Sequence, residues 1–167
     1  METKNDYNEN EVREVSIHIA LAYDAIDDVK TLFNEYAHAV GDALCFQGFG
    51  RELSTLPGRY SLPDGRLYVA YDGNAAAGCV AMRSLSTDIC EMKRLYVRPA
   101  FRRTGLGEML TRQIISDAVQ IGYGRIVLDT LSSMTAAIDL YLKLGFSVVP
   151  PYNAKPLPGA VYMGMEL

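Results

Sequence analysis

Leu95-Tyr96-Val97-Arg98-Pro99-Ala100-Phe101-Arg102-Arg103-Thr104-Gly105-Leu106-Gly107-Glu108 joins the end of a strand to the start of a helix through a loop of arginines and glycines. The strand before it, from about Ile89, must stop short of Pro99, which has no amide hydrogen to give to a ladder. Downstream, Leu106, Met109, Leu110, Ile114, Ile115, Ala118 and Val119 recur at helical spacing, which predicts a helix from about Gly105 to Gln120. A helix N-terminus exposes unpaired N–H groups and the positive end of its dipole, and binds phosphate readily. Gly105 and Gly107 let a pyrophosphate approach the main chain, and Arg102 and Arg103 add charge-assisted contacts.

Outward from this loop the chain alternates between the periods of strand and helix. Towards the N-terminus, Arg66 to Tyr71 turns at Asp72-Gly73-Asn74 and returns through Ala77 to Arg83, a hairpin. Before it come a strand over Val12 to Ala20 and a helix capped by Asp24, whose apolar stripe runs from Ile26 to Val40. A shorter helix is predicted between Asp42 and Leu56. Towards the C-terminus, Arg125 to Asp129 is a compact buried strand, and Ser133 to Leu144 a helix closed by Gly145. Phe146 to Val149 and Val161 to Leu167 are the last strands, separated by the proline-rich connection Pro150 to Pro158. The order β-α-α-β-β-β-α-β-α-β-β describes an α/β fold with a mixed sheet. One domain is expected over residues 12–167, after a flexible tail of residues 1–11.

Two segments carry a family resemblance. Arg102-Arg103-Thr104-Gly105-Leu106-Gly107 fits R/Q-x-x-G-x-G/A, and Ala137 to Phe146 fits A-x-x-L-Y-x-x-x-G-F. The first string alone has many chance matches. Set after a strand, inside a helix start and upstream of the second motif, it resembles the acyl-CoA loop of the GNAT superfamily of N-acetyltransferases. The resemblance covers nearly the whole domain. It implies a mixed sheet of about seven strands, helices on both faces and splayed central strands. Coenzyme A would lie where the strand ending at Val97 parts from the one beginning near Arg125.

The same resemblance implies roles at matching positions. Main-chain groups of Leu95 and Val97, with Tyr96 between them, would bind the pantetheine arm and the acetyl carbonyl, whose polarisation stabilises an oxyanion. Amides from Arg103 through Thr104, Gly105 and Leu106 to Gly107 would hold the pyrophosphate, with Arg102 and Glu108 at the two ends. Tyr141 stands where the family has its usual general acid; a phenol with an ordinary pKa of about 10 stays protonated and can protonate the leaving thiolate. By spacing alone it reads as a core aromatic. Glu91 stands where some members place a general base, and reads equally as a salt-bridge partner of Lys93. An asparagine common in the family is Met134 here, flanked by Ser133 and Thr135, so a hydroxyl substitutes for that cofactor contact or the contact is absent. Phe46, Phe49 and Tyr60, with Arg51 and Arg59, fall where the family often builds one acceptor wall, and read equally as core and surface residues; Tyr152, after Pro150 and Pro151, could form the other wall.

Composition narrows the alternatives. With 49% hydrophobic and 22% charged residues among 167, disorder and membrane spanning are poor readings. A net charge of −4 argues against a nucleic-acid module. Leu110 replaces the third glycine of a dinucleotide fingerprint. His18, His38, Cys45, Cys79 and Cys90 form no metal-ligand or disulfide pattern, and the first residues lack the order of a secretory signal. The predicted activity is therefore acetyl transfer from acetyl-CoA to a primary amine, on a small molecule or a peptide, in the cytoplasm, without a metal. The rival is a non-catalytic acyl-CoA-binding or regulatory module. Dimers are common in the family, but no interface is legible here.

Overall fold

The computed structural model describes residues 16–41 and 48–167. Seven strands form one sheet: β1 (Ile17–Leu21), β2 (Arg66–Asp72), β3 (Ala75–Ser84), β4 (Ile89–Val97), β5 (Arg125–Leu131), β6 (Ser147–Val148) and β7 (Ala160–Glu166). Among the described residues four α-helices accompany them: α1 (Ile26–Val40), α2 (Phe49–Ser54), α3 (Leu106–Ile121) and α4 (Thr135–Leu144). The spatial order is β1-β2-β3-β4-β5-β7-β6. Every neighbouring pair is antiparallel except β4 with β5, which is parallel.

The core divides between the two faces of the sheet. On α1, Val29, Leu32 and Phe33 sit at helical spacing and bury themselves against Leu67, Val69, Cys79 and Ala81. On the other face Leu106, Leu110, Ile114 and Ala118 of α3 meet Ala70, Val80, Met82 and Ile126. Removing each large aliphatic of these stripes from water stabilises the fold by roughly 2 kcal/mol. Tyr141 and Phe146 extend the second core, and Ala137, Ile138 and Leu140 of α4 pack against it.

β4 carries the feature that shapes the site. Its pairing with β5 covers Ile89 with Arg125, Cys90 with Ile126 and Glu91 with Val127, and then stops. Beyond that point β4 bulges against β3, where the register shifts between Cys79 and Ala81 and Arg94 takes a left-handed φ of 59°. One extra residue reverses the alternation. Cys90 and Met92 face the α3 core before the bulge, and the odd-numbered Leu95 and Val97 face it afterwards. Across the ladder Gly78 is required, because a Cβ there would lie 2.6 Å from the Tyr96 carbonyl oxygen.

The expected seven-stranded mixed sheet with splayed central strands is present. Local differences have physical causes. Asp24 does not cap α1: Ala25 holds the N-cap position without a side-chain hydrogen bond, while Asp27 and Asp28 in the first turn face the positive end of the dipole. The expected strand at Phe146 to Val149 shrinks to Ser147–Val148, because Phe146 turns inward and is buried in the core. Residues 12–15 of the first predicted strand, and residues 42–47 of the second predicted helix, lie outside the described residues. Among the described residues no helix is long and apolar enough to cross a membrane.

Candidate active site

After β4 the chain makes a short 3-10 turn, Pro99–Phe101, and swings into α3 through two left-handed residues, Arg103 (φ 61°) and Gly105 (φ 86°). The Arg98 amide donates to the Ala77 carbonyl at 2.9 Å, and its guanidinium grips Glu35 at 2.7 Å, so the end of the strand is fixed. The Thr104 hydroxyl donates to the Phe101 carbonyl at 2.6 Å. Among the described residues no carbonyl accepts from the amides of Arg103, Thr104, Gly105, Leu106 or Gly107. These are the orphan donors of a helix start, gathered on one turn.

The turn opens on a cleft of roughly 660 Å³ between β4 and the N-terminal ends of α3 and α4. Leu95, Tyr96, Val97, Arg102, Arg103, Gly105, Leu106, Gly107, Glu108 and Met134 all border it. Thr104 does not; its hydroxyl is spent inside the loop. Because Arg98 points its amide at β3, alternation turns the main-chain groups of Leu95 and Val97 the other way, towards the gap. Arg102 folds back, its Nε donating to the Val97 carbonyl at 3.1 Å. The Glu108 carboxylate ties α3 to α4 by accepting from Arg112 at 2.8 Å and Lys143 at 2.6 Å.

Where β4 and β5 part, the cleft continues into a small chamber of about 40 Å³; Tyr36, Leu95 and Met134 border both spaces. Met134 takes the N-cap position of α4, and its sulfur accepts from the Thr130 hydroxyl at 3.7 Å. Tyr141 borders the chamber from α4, 6% exposed, with its ring against Phe146 at 5.8 Å. Burial, reinforced by Tyr36 and Asp129, pushes its phenol well above the ordinary 10.0. Such a group is a neutral proton donor at any physiological pH.

Glu91 borders neither space. It is 3% exposed, its Oε2 accepts from Arg83 Nε at 2.7 Å, and its Oε1 accepts from the Tyr152 hydroxyl at 2.9 Å and stands 3.5 Å from Lys93 Nζ. The carboxylate that does border the chamber is Asp129, whose Oδ1 accepts from Lys93 Nζ at 2.8 Å. Sequence reasoning missed Asp129. Its signal was available as opposite charges, Lys93 in the middle of one strand and Asp129 closing the apolar run of another, but it needed the strand register to become a pair.

The expected acceptor walls are divided in the structure. Phe49, the first residue of α2, lies 5.5 Å beneath the Arg94 guanidinium. Tyr60 is a core residue, 2% exposed, whose hydroxyl donates to Glu52 at 2.7 Å; burial and the Glu52 charge raise its phenol. Tyr152 stands edge-on to Tyr162 at 5.3 Å and closes over Glu91. Phe46 lies outside the described residues. Cys90 is buried, and burial pushes its thiol up to about 12, so it is not a nucleophile near neutrality.

Comparison with known proteins places this geometry. The acetyltransferase (GNAT) family model matches residues 27–146. An uncharacterised N-acetyltransferase of Schizosaccharomyces pombe is 41% identical over 144 residues, 85% of this chain and 88% of its own. An acetyltransferase structure from Streptococcus agalactiae superposes with a TM-score of 0.77 over 90% of this chain and 98% of its own, at 17% identity. A GNAT family acetyltransferase from Elizabethkingia anophelis with acetyl-CoA bound is 25% identical, with a TM-score of 0.54 over 62% of this chain and 77% of its own.

Proposed function

The chain belongs to the GNAT acetyltransferase family and is an N-acetyltransferase, and from that premise we propose that it moves the acetyl group of acetyl-CoA directly to an amine held at the β4–β5 opening. The observation that carries the proposal is the continuity of the site. Five amides without an acceptor among the described residues, at residues 103–107, open on a cleft that leads to the Tyr141 chamber. The amides hold the pyrophosphate, and Arg103 adds a positive charge beside it. The pantetheine arm lies along Leu95 and Val97 in the manner of an added strand, and a main-chain donor there polarises the thioester carbonyl.

The neutral amine attacks the carbonyl carbon, so a C–N bond forms as the C–S bond breaks. Tyr141 gives its proton to the departing sulfur and recovers one from solvent. The ammonium that forms gives up a proton to Asp129, the carboxylate bordering the chamber. Glu91 acts as a positioning residue through Lys93, since Arg83 and Tyr152 engage its oxygens. The chamber's small volume suits an acetyl group.

Release of free thiol from acetyl-CoA across a panel of amines, with Tyr141→Phe beside the parent protein, tests the proposal. Amine-dependent release that falls in the variant supports it. Coenzyme A binding without release for any amine would favour a non-catalytic module.

A further inference from the structure

The face of the sheet that carries α1 and α2 holds another cavity, of about 330 Å³, within the range of small-molecule sites. Its lining brings three guanidiniums from three different elements: Arg51 of α2, Arg59 of the Gly58–Tyr60 turn and Arg83 of β3. One carboxylate, Glu52, borders the same space. That carboxylate is committed elsewhere. Arg94 donates to its two oxygens at 2.9 and 2.6 Å, and Tyr60 donates at 2.7 Å. Glu91 offsets Arg83 but also meets Tyr152 and Lys93. Arg59 is held by the Ser84 carbonyl at 3.0 Å, and Arg51 makes no ion pair with a described residue. Arg51 and Arg59 are exposed and Arg83 is half-buried, and the three border a single hollow.

Two links tie the hollow to the reaction chamber. Glu52 borders the hollow and its partner Arg94 borders the chamber, so this ion pair forms a shared wall. The second link runs from Arg83 to Glu91, then to Lys93, then to Asp129. We infer that the hollow is the recognition subsite for the acceptor, and that it takes an oxyanion, carboxylate or phosphate, carried by the same molecule as the reacting amine. The inference rests on the acetyl-transfer reading of the neighbouring chamber. Guanidinium forks suit both oxyanions, and a surplus of positive charge in a concave site concentrates anionic substrates there. With the oxyanion so held, the amine is left to reach over the Glu52–Arg94 wall towards Asp129.

Initial rates of acetyl transfer decide the matter, measured on the full chain with aspartate, glutamate, phosphoethanolamine, asparagine and putrescine. The acidic amines are expected to exceed asparagine and putrescine by about tenfold or more in kcat/KM, a difference that one charge-assisted contact supplies. Aspartate and glutamate against phosphoethanolamine separates carboxylate from phosphate. In Arg51→Gln/Arg59→Gln the acceptor KM should rise about tenfold and the preference shrink, while the KM for acetyl-CoA stays unchanged. Equal use of putrescine or asparagine by the parent protein overturns the inference, as does a preference that survives in the variant. Should no amine be acetylated, titration of the parent and variant with glutarate and with inorganic phosphate by heteronuclear NMR decides separately. Shifts at the amides of Arg59 and Tyr60 that vanish in the variant uphold the subsite while the transfer reading falls. No shift with either anion overturns the subsite, whatever coenzyme A does in its own titration.

Discussion

Lys93 Nζ lies 2.8 Å from Asp129 Oδ1, an ion pair that spans two strands at the first same-face step after they cease to pair. Glu91 and Val127 are the last partners in the ladder; two residues on, the contact between the strands is electrostatic. The side chains are 7% and 9% exposed. Breaking such a pair from one side leaves a buried charge poorly compensated, here Lys93 with Glu91 3.5 Å away. Asp129→Asn is therefore expected to lower stability by about 3 kcal/mol in urea unfolding. Replacing both partners, as Lys93→Met/Asp129→Leu, should restore most of that stability and none of the turnover. Recovery of turnover in the double variant would remove Asp129 from the proton path.

Gly105 sits at a φ of 86°, with open space where a Cβ would go. Any L side chain there meets backbone strain of about 1–2 kcal/mol rather than a clash. Gly105→Asp also sets a negative charge against the orphan amides. Its coenzyme A Kd, measured calorimetrically, should rise tenfold or more, whereas Gly105→Ala should show a smaller loss. Equal affinity in Gly105→Asp and the parent would detach the loop from the pyrophosphate.

Tyr141→Phe keeps the packing against Phe146 and removes only the hydroxyl proposed as the acid. Turnover should fall about a hundredfold with little change in coenzyme A affinity. Because burial raises this phenol above 10.0, its neutral form persists as pH climbs. The parent's kcat profile should accordingly show no descending alkaline limb from this group below about pH 10. A limb between pH 8 and 9 that disappears in Tyr141→Phe would contradict that assignment.

Glu52 offers a test of the acceptor wall by acid. Burial alone would raise its carboxyl, but the Arg94 fork and the Tyr60 hydroxyl outweigh burial and hold it below the ordinary 4.5. A carboxyl depressed in the folded state contributes stability above its unfolded pKa and loses it as pH falls through the folded value. Thermal unfolding of the parent should thus drop steeply from pH 5 to pH 3. Glu52→Gln should start lower at pH 7 and decline less. Parallel curves would show that the pair contributes nothing to the folded state.

Much of this architecture was legible in the chain because it rests on short-range periodicity. The stripe Leu106, Leu110, Ile114, Ala118 and the punctuation at Pro99, Gly122 and Gly145 are local signals, and the elements they predict are present. Asp24 misled because an N-cap depends on one dihedral angle, and Ala25 took it. The reversal of side chains at Arg94 was invisible, since a bulge is a property of two strands and a residue's own type does not announce it. The site divides in the same way. The loop Arg102 to Gly107 could be read from its glycines, whereas Asp129 and the arginine-lined hollow exist only once distant segments meet.

The three residue pairs between β4 and β5 are all the ladder that joins a four-stranded half of the sheet to a three-stranded half. A seam so short is a flexure, and whatever occupies the gap beyond it acts as a splint. A thioester carrier laid along residues 92–97 would lend that edge the neighbour it lacks. Grip on the carrier and stiffness of the whole sheet would then rise and fall together, and slower amide exchange on both sides of the seam would accompany every molecule bound.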